Sequence, residues 1–326
     1  MNKKKVGVVC GGYSPEFDIS IQSGKNIFSN LDRNLYEVYL ITIRPDSWTA
    51  IDDYKTTFEV SKADFSLIND DDGVNLDVVF NSIHGAPGEN GQLAALWELL
   101  NIPFSSCDSY SAALTFNKRD CLSVLRGWGV PTAKNFALDE GDPIDLIKIE
   151  KIVGFPCFVK ANRAGSSFGV YLVNSKSELE PAIKNAFYED CQILIESALV
   201  GREVSVGVAK FNNKINVLPI TEIISENDFF DYAAKYEGKA KEITPAKIAQ
   251  SSKVEVEKWS RLIYKKLGLK GLIRSEFIFV DDIPHLLEIN SVPGMTKKSI
   301  IPQQVSAMGI ELSDFFNYLL QAALKQ

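Results

Sequence analysis

Four polar residues in the last third of the chain have the spacing of a binding face. Arg274 and Glu276 are two apart, as are Glu288 and Asn290. Residues two apart on a strand point to the same side. The runs Gly271 to Val280 and His285 to Asn290 read as a β-hairpin. With an odd-numbered loop, for which Asp281-Asp282-Ile283 would serve, Glu276 falls opposite Glu288 and all four residues share a face. An even loop would split them. Two carboxylates and an amide oxygen, with no His or Cys among them, form a hard oxygen site. Such a site suits Mg²⁺ holding phosphate oxygens and does not suit zinc. The competing reading is a solvated face of an edge hairpin, with Arg274 paired to a carboxylate. Leu286, Leu287 and Ile289 weaken it, but on these residues alone both readings stay open.

Lysines and glycines come next. Lys160 ends an apolar strand and precedes Ala164-Gly165-Ser166-Ser167-Phe168-Gly169. Backbone N–H groups of such a loop can wrap a phosphate. An ordinary β-turn accounts for an isolated loop of this kind more simply. Neither GxxxxGK[ST] nor GxGxxG occurs, so a bound nucleotide would not be held by either motif. Glu196 and Glu203 flank Leu199-Val200-Gly201 at a sheet edge or hinge, where carboxylates could accept from an adenine amino group or ribose hydroxyls. Most glutamates so placed are merely solvated. His84 opens Gly85-Ala86-Pro87-Gly88-Glu89-Asn90-Gly91 after an apolar strand, at the kind of strand end where α/β sheets bind ligands. A lone His there is more often structural than functional. His285, beside the hairpin turn, reads as a surface residue.

The elements that must position these groups follow from periodicity. Val6 to Cys10, Glu37 to Ile43 and Asp77 to Ile83 are strand-like, and Ser20 to Leu31 and Gln92 to Leu100 are helix-like. This alternation argues an α/β layer with a mostly parallel sheet. Ala112 to Trp128 reads as helical. Cys157 to Lys160, Val170 to Val173 and Gln192 to Glu196 read as strands, with a helix over Ser177 to Phe187, which describes an α+β middle unit. Glu203 to Lys210 is a strand and Val254 to Leu267 an amphipathic helix. The polar stretch Ser225 to Ala246 reads as a long functional loop.

Composition sets the outer bounds. The 326 residues are 45% hydrophobic and 24% charged, with a net charge of −7. That fits two or three domains of roughly 100–200 residues and excludes large-scale disorder. A pI near 5.1 argues against a nucleic-acid binder, but a few lysines can still build a local anion pocket. The five cysteines, Cys10, Cys107, Cys121, Cys157 and Cys191, are odd in number and include no CxxC pair. They read as reduced structural residues. The apolar run after Met1-Asn2-Lys3-Lys4-Lys5 is too short for a signal peptide, and no stretch approaches a membrane span of ~20 residues. The expectation is a cytoplasmic protein with no membrane and no nucleic-acid partner.

Taken together, these segments resemble the D-alanine–D-alanine ligases of the ATP-grasp superfamily. The resemblance runs in order through Gly11-Gly12-Tyr13-Ser14-Pro15-Glu16, His84-Gly85 to Gly91, Asn117-Lys118, Phe158-Val159-Lys160 to Gly169 and Phe230-Asp231-Tyr232-Ala233-Ala234-Lys235-Tyr236. It ends in Leu287-Glu288-Ile289-Asn290-Ser291-Val292-Pro293-Gly294-Met295-Thr296 and Ser299. It implies a three-domain ATP-grasp fold of α/β and α+β parts with a Rossmann-like N-terminal domain. The units would be 1–106, 107–199 and 200–326, with ATP between the last two. It implies ATP-dependent joining of two D-alanines through an acylphosphate for peptidoglycan precursor synthesis, with Mg²⁺ or Mn²⁺ as two ions, and it leaves a homodimer open. By the same resemblance, Glu276, Glu288 and Asn290 hold metal. Lys118, Lys160, Lys235 and the Ser166-Ser167 loop hold the phosphates, and Glu196 and Glu203 contact adenosine. Glu16 binds the first ammonium with a Ser166–Tyr236 network, and His84 lies near that subsite. Arg274 and the Gly294 N–H form the oxyanion site, and Ser299 with the Ile300 backbone anchors the second carboxylate. The stretch Ser225 to Ala246, carrying Lys235 and Tyr236, would act as a lid.

Three positions depart from the family pattern: Glu276 where Asp is usual, Ala161 where Pro follows the lysine, and Asn90 in place of Asp. None removes a required role, though Asn90 takes a charge from beside His84. The alternatives are a D-Ala–D-lactate or D-Ala–D-Ser ligase and a catalytically silent nucleotide binder. Tyr236 after Ala234-Lys235 argues for the dipeptide form, and the intact Arg274 and metal-ligand set argues against a silent protein.

Overall fold

The computed structural model describes residues 3–70, 72–165, 169–225 and 240–325. Three sheets account for the strands. The first contains β1 (Lys4–Gly11), β2 (Tyr36–Ile43), β3 (Trp48–Ile51), β4 (Thr57–Val60), β5 (Leu67–Asn69), β6 (Asp72–Val74) and β7 (Val78–Asn81), in the order β6-β5-β4-β3-β2-β1-β7. Only β1–β2 and β1–β7 are parallel, and β2 through β6 form an antiparallel meander. The sheet is therefore less parallel than the alternation suggested. The strands of the meander are three or four residues long after β2, too short to give a readable period. Helix α1 (Phe17–Asn30) connects β1 to β2 and buries Ser20, Ser23, Gly24, Asn26 and Ile27. Gly24 is required there, because a Cβ would collide with Cys10 on β1.

Helices α2 (Gln92–Leu99), α3 (Ser109–Phe116) and α4 (Lys118–Gly127) follow. The single helical run expected over Ala112 to Trp128 is broken at Asn117. Its backbone is extended (φ −89°, ψ 95°) and its side chain accepts from Asp120 N, capping α4. The break makes Lys118 the first residue of a helix. Ala112, Cys121, Leu122 and Leu125 from this pair, with Cys107 just before it, are buried in one core with Val204, Val206, Phe277 and Ile289 of the third sheet.

The second sheet has the order β10-β9-β11-β8, from β8 (Asn135–Asp139), β9 (Cys157–Ala161), β10 (Val170–Val173) and β11 (Gln192–Ser197). Helices α5 (Leu146–Val153) and α6 (Lys176–Ala186) cover it. The third sheet has the order β15-β14-β12-β16-β17. Its strands are β12 (Glu203–Phe211), β14 (Thr221–Ser225), β15 (Ala240–Ile243), β16 (Leu272–Val280) and β17 (Ile283–Asn290), with β13 (Lys214–Val217) paired to β12. Helices α7 (Gln250–Lys266), α8 (Ile300–Ala307) and α9 (Leu312–Ala323) complete the fold.

The stretch Ser225 to Ala246 is not a loop throughout. Ala240–Ile243 pairs with β14, Ala246 N donates to Ile220 O, and the Thr221 and Thr244 hydroxyls lie 2.7 Å apart. The rest of that stretch, 226–239, lies outside the described residues. No helix among the described residues is long and apolar enough to cross a membrane. All five cysteines are free, and burial pushes the thiols of Cys10, Cys107 and Cys121 up to about 12, which suits a packing role.

The hairpin reaches the expected alignment by another route. Its turn is two residues, Asp281-Asp282, both at positive φ (49° and 61°) as a type I′ turn requires. An even turn should have split the polar set. A β-bulge restores it. Phe277 faces Leu286 and Glu276 faces Glu288, so Leu287 is the extra residue that returns Glu288 and Asn290 to the face of Glu276 and Arg274. Asp282→Gly supplies the residue that favours positive φ and should stabilise the fold by about 0.5–1 kcal/mol, with unchanged turnover. Thermal melting of the two proteins checks it, and a lower midpoint would contradict the turn assignment.

Candidate active site

On the hairpin, Arg274 faces Asn290 and Glu276 faces Glu288. Arg274 Nη2 donates to Glu276 Oε1 at 2.7 Å, and Lys118 Nζ lies 3.3 Å from Glu288 Oε2. Asn290 Oδ1 accepts from Val292 N at 3.0 Å. Among the described residues no three His, Cys, Asp or Glu side chains cluster as a metal cage. Two carboxylates and an amide oxygen on adjacent strands instead suit an ion that keeps water or phosphate oxygens in its remaining positions. The donor set thus fits a hard divalent cation shared with a phosphate substrate.

A second group of charged residues stands on the second sheet. Lys160 on β9 is ion-paired with Glu196 on β11, and both side chains are largely buried. Leu194 faces Lys160 and Phe158 faces Glu196, so the pair is a diagonal cross-strand contact on one face. Lys118 Nζ also donates to Ala164 O at 2.7 Å, which ties the start of α4 to the glycine-containing loop. Asn162, fully buried, fixes that junction. Its Oδ1 accepts from Arg119 N at 2.8 Å and its Nδ2 donates to Asn117 Oδ1 at 2.8 Å. Glu203 begins β12. Between Glu196 and Glu203 the chain passes from the second sheet to the third at Gly201, where a Cβ would overlap the Phe279 carbonyl oxygen. Ser166, Ser167, Lys235 and Tyr236 lie outside the described residues.

The first-sheet loops approach from the other side. Glu16 stands at the start of α1, and its carboxylate lies against Gly165, where a Cβ would collide with it. Gly85, at φ +69°, passes the same carboxylate and the Ser14 side chain. Ser14 Oγ donates to His84 O at 2.8 Å. His84 is buried, and burial pushes its ring below the usual value despite nearby Glu16, so it is neutral at pH 7. Both ring nitrogens are engaged within the protein, Nδ1 with Val292 O and Nε2 with Ser23 Oγ. Gly294 borders Ser299, whose Oγ accepts from Thr296 N at 3.0 Å. Ser299 is the N-cap position of α8 and Ile300 its first residue. Ile300 N–H therefore belongs to the first helical turn, whose donors have no intrahelical acceptor and favour an anion.

One acidic residue was overlooked as a site group. Glu89 is buried, and its Oε2 accepts from Gly85 N at 3.0 Å. Burial pushes its carboxyl up to about 7, with Glu16 and Glu288 adding to the rise and Gly85 N–H and Lys118 opposing it. An acid between glycines at a strand end was the available signal. Asn90 beside it turns away, its Oδ1 accepting from Gln92 N at 3.2 Å.

Glu89 holds its proton in the folded state to higher pH than in the unfolded chain. The folded state therefore binds the extra proton between about 4.5 and 7, and stability falls as pH rises through that window. Glu89→Gln keeps the acceptor and removes the titration. Its melting midpoint should fall less than that of the parent between pH 5.5 and 8.5, which corresponds to about 2 kcal/mol of stability lost by the parent over that range. Parallel melting curves across that range would contradict the shift.

A family model described as D-ala D-ala ligase N-terminus matches residues 5–107, and one described as D-ala D-ala ligase C-terminus matches residues 124–321. The D-alanine–D-alanine ligase of Christiangramia forsetii is 49% identical over 324 residues, covering 99% of each chain. Among solved structures, D-alanyl-alanine synthetase A of Vibrio cholerae superposes with a TM-score of 0.89 at 27% identity, covering 100% of both chains. The VanG D-Ala:D-Ser ligase of Enterococcus faecalis gives 0.88 at 28% identity, covering 99% of this chain and all of that one. The three-sheet arrangement is the ATP-grasp fold. Kinship of this extent runs through the hairpin, the loops around Glu16 and His84, and the helix behind Ser299 alike, and the chain belongs to the D-alanine–D-alanine ligase family.

Proposed function

We propose that this chain is an ATP-dependent ligase that condenses two molecules of D-alanine into D-alanyl-D-alanine, a peptidoglycan precursor. The observation that carries the reading is the contact of Glu16 with Gly165. It brings a carboxylate suited to an amino-acid ammonium against the loop suited to a nucleotide phosphate. A carboxylate is a poor electrophile. The first D-alanine therefore attacks the γ-phosphoryl group with its carboxylate oxygen, and ADP leaves. The second D-alanine, its ammonium having lost a proton, attacks the acyl carbon through nitrogen; the acyl C–O bond then breaks, phosphate leaves with that oxygen and the electron pair, and the nitrogen gives its extra proton to solvent.

The residues divide the work by charge. Glu16 holds the first ammonium, and Ser299 with the Ile300 N–H holds the second carboxylate at the α8 N-terminus. Lys118 and Lys160 offset phosphate charge, and we assign the same task to Lys235 and the Ser166-Ser167 loop. Glu196 and Glu203 accept from the adenosine. Arg274 and the Gly294 N–H face the oxyanion of the tetrahedral intermediate, and Tyr236 with Ser166 completes the first subsite beside His84. A divalent cation held by Glu276, Glu288 and Asn290 would neutralise developing phosphate charge. We assign Mg²⁺, replaceable by Mn²⁺, as two ions. The same reading divides the chain at 106 and 199, allows a homodimer, and sets the reaction in the cytoplasm.

A second reading, ligation of D-serine or D-lactate as acceptor, draws on the fold shared with VanG, a D-Ala:D-Ser ligase. Phosphate release with D-alanine, D-serine and D-lactate in turn separates the two. ADP and phosphate should appear in equal amounts with D-alanine alone. Release of AMP and pyrophosphate, or preference for D-serine, would reject the first reading. Glu288→Gln conserves volume and removes one charge from the cation site. Turnover should fall on the order of a hundredfold, with little change in melting midpoint. Near-normal turnover with unchanged Mg²⁺ dependence would remove the hairpin from cation binding.

A further inference from the structure

The segment that carries Gly294 is held from the first-sheet side by a closed set of hydrogen bonds. His84 Nδ1 lies 2.8 Å from Val292 O, and a carbonyl only accepts, so Nδ1 carries the ring proton. Nε2 of the neutral ring then accepts from the Ser23 hydroxyl at 3.2 Å. Ser23 Oγ accepts in turn from Met295 N at 3.1 Å. Asn26, on the next turn of α1, donates to Met295 O at 2.7 Å. The clamped residues, Val292 and Met295, bracket Gly294, and Asn290 Oδ1 holds Val292 N from the hairpin side. Ser23, Asn26, His84, Val292 and Met295 are all buried, so no solvent competes for these bonds.

We propose that Ser23, His84 and Asn26 act as a positioning latch, through which the first sheet sets the aim of the Gly294 N–H. None of the three needs to touch the reacting atoms. The inference rests on the reading of Gly294 as an oxyanion donor. Such a donor works only if it is placed before charge develops, and a shift of about 1 Å can cost roughly a hundredfold in rate. The direction of the circuit, Met295 N–H to Ser23, Ser23 O–H to His84, His84 Nδ1–H to Val292, uses each donor once. Removing one member leaves a neighbouring group without its partner.

Ser23→Ala removes the middle of the circuit at a buried position on α1. We expect kcat to fall roughly ten- to a hundredfold, with affinity for a phosphinate analogue of the tetrahedral intermediate falling in parallel. The KM for ATP should stay within about twofold. Amide hydrogen exchange in the peptide containing Gly294 and Met295 should quicken. His84→Asn places an amide N–H near the position of Nδ1 and should retain more activity than His84→Leu. Asn26→Leu tests the same circuit through Met295 O if Ser23→Ala does not accumulate as folded protein. Unchanged exchange, or a loss of kcat matched by an equal rise in the KM for ATP, would overturn the latch. Faster exchange with unchanged phosphinate affinity would instead overturn the role of Gly294, so the two failures are told apart.

Discussion

Glu276 and Glu288 face each other across β16 and β17, where like charges directly opposite are unfavourable. Cations reached from different parts of the chain offset this. Arg274 binds Glu276 from two residues away on the same strand, and Lys118 approaches Glu288 from the first residue of α4. Because Lys118 also holds Ala164 O, the hairpin and the root of the glycine-containing loop are fixed relative to each other. Under the function proposed above, phosphate and cation would neutralise one another only if these two parts meet. The break at Asn117 is what places Lys118 at a helix start, so a local capping event in the sequence decides a contact with residue 288.

The packing explains how remote segments hold such positions. One core joins Val6, Val8, Val78 and Phe80 of the first sheet to Phe211 and Leu272 of the third sheet and Phe315 and Phe316 of α9. Phe80 and Phe316 meet edge-on with ring centroids 5.5 Å apart, a favoured aromatic geometry. This core lies behind the Ser291–Met295 segment, and the hydrogen bonds of Asn26, Ser23 and His84 cross the same junction. Apolar packing brings the surfaces together, and the directional bonds choose one register among many that packing alone would tolerate.

Several buried polar groups around the site are answered by protein partners, as low-dielectric surroundings demand, whereas the buried Ser82, Ser205, Ser275 and Ser291 hydroxyls have no hydrogen-bond partner among the described residues. Asn162 uses both ends of its amide, and Lys160 and Glu196 neutralise each other. Removing one member of that ion pair would leave an uncompensated charge, at a cost of about 3–5 kcal/mol. Glu89 is the exception in kind, since burial keeps a proton on it to near neutral pH.

Residue types and short-range spacing in the sequence pointed to the candidate groups. Oxygen-bearing side chains two apart on strands, lysines at strand and helix ends, and glycines at strand ends were all legible, because side-chain direction has a period of two along a strand. The order of those segments was enough to reveal the family resemblance. Parity across the hairpin was not legible. The even Asp281-Asp282 turn and the bulge at Leu287 cancel, and both arise from backbone geometry that the side-chain pattern does not encode. Nor were the meander β3 to β6, the break at Asn117, or the roles of Ser23 and Asn26. Ser23 and Asn26 are polar residues on a helix, and nothing local distinguishes a surface position from one facing residue 295. The proton on Glu89 is likewise decided only when Glu16, Glu288 and the surrounding core come together, because a carboxyl group titrates according to neighbours that the chain brings from far away.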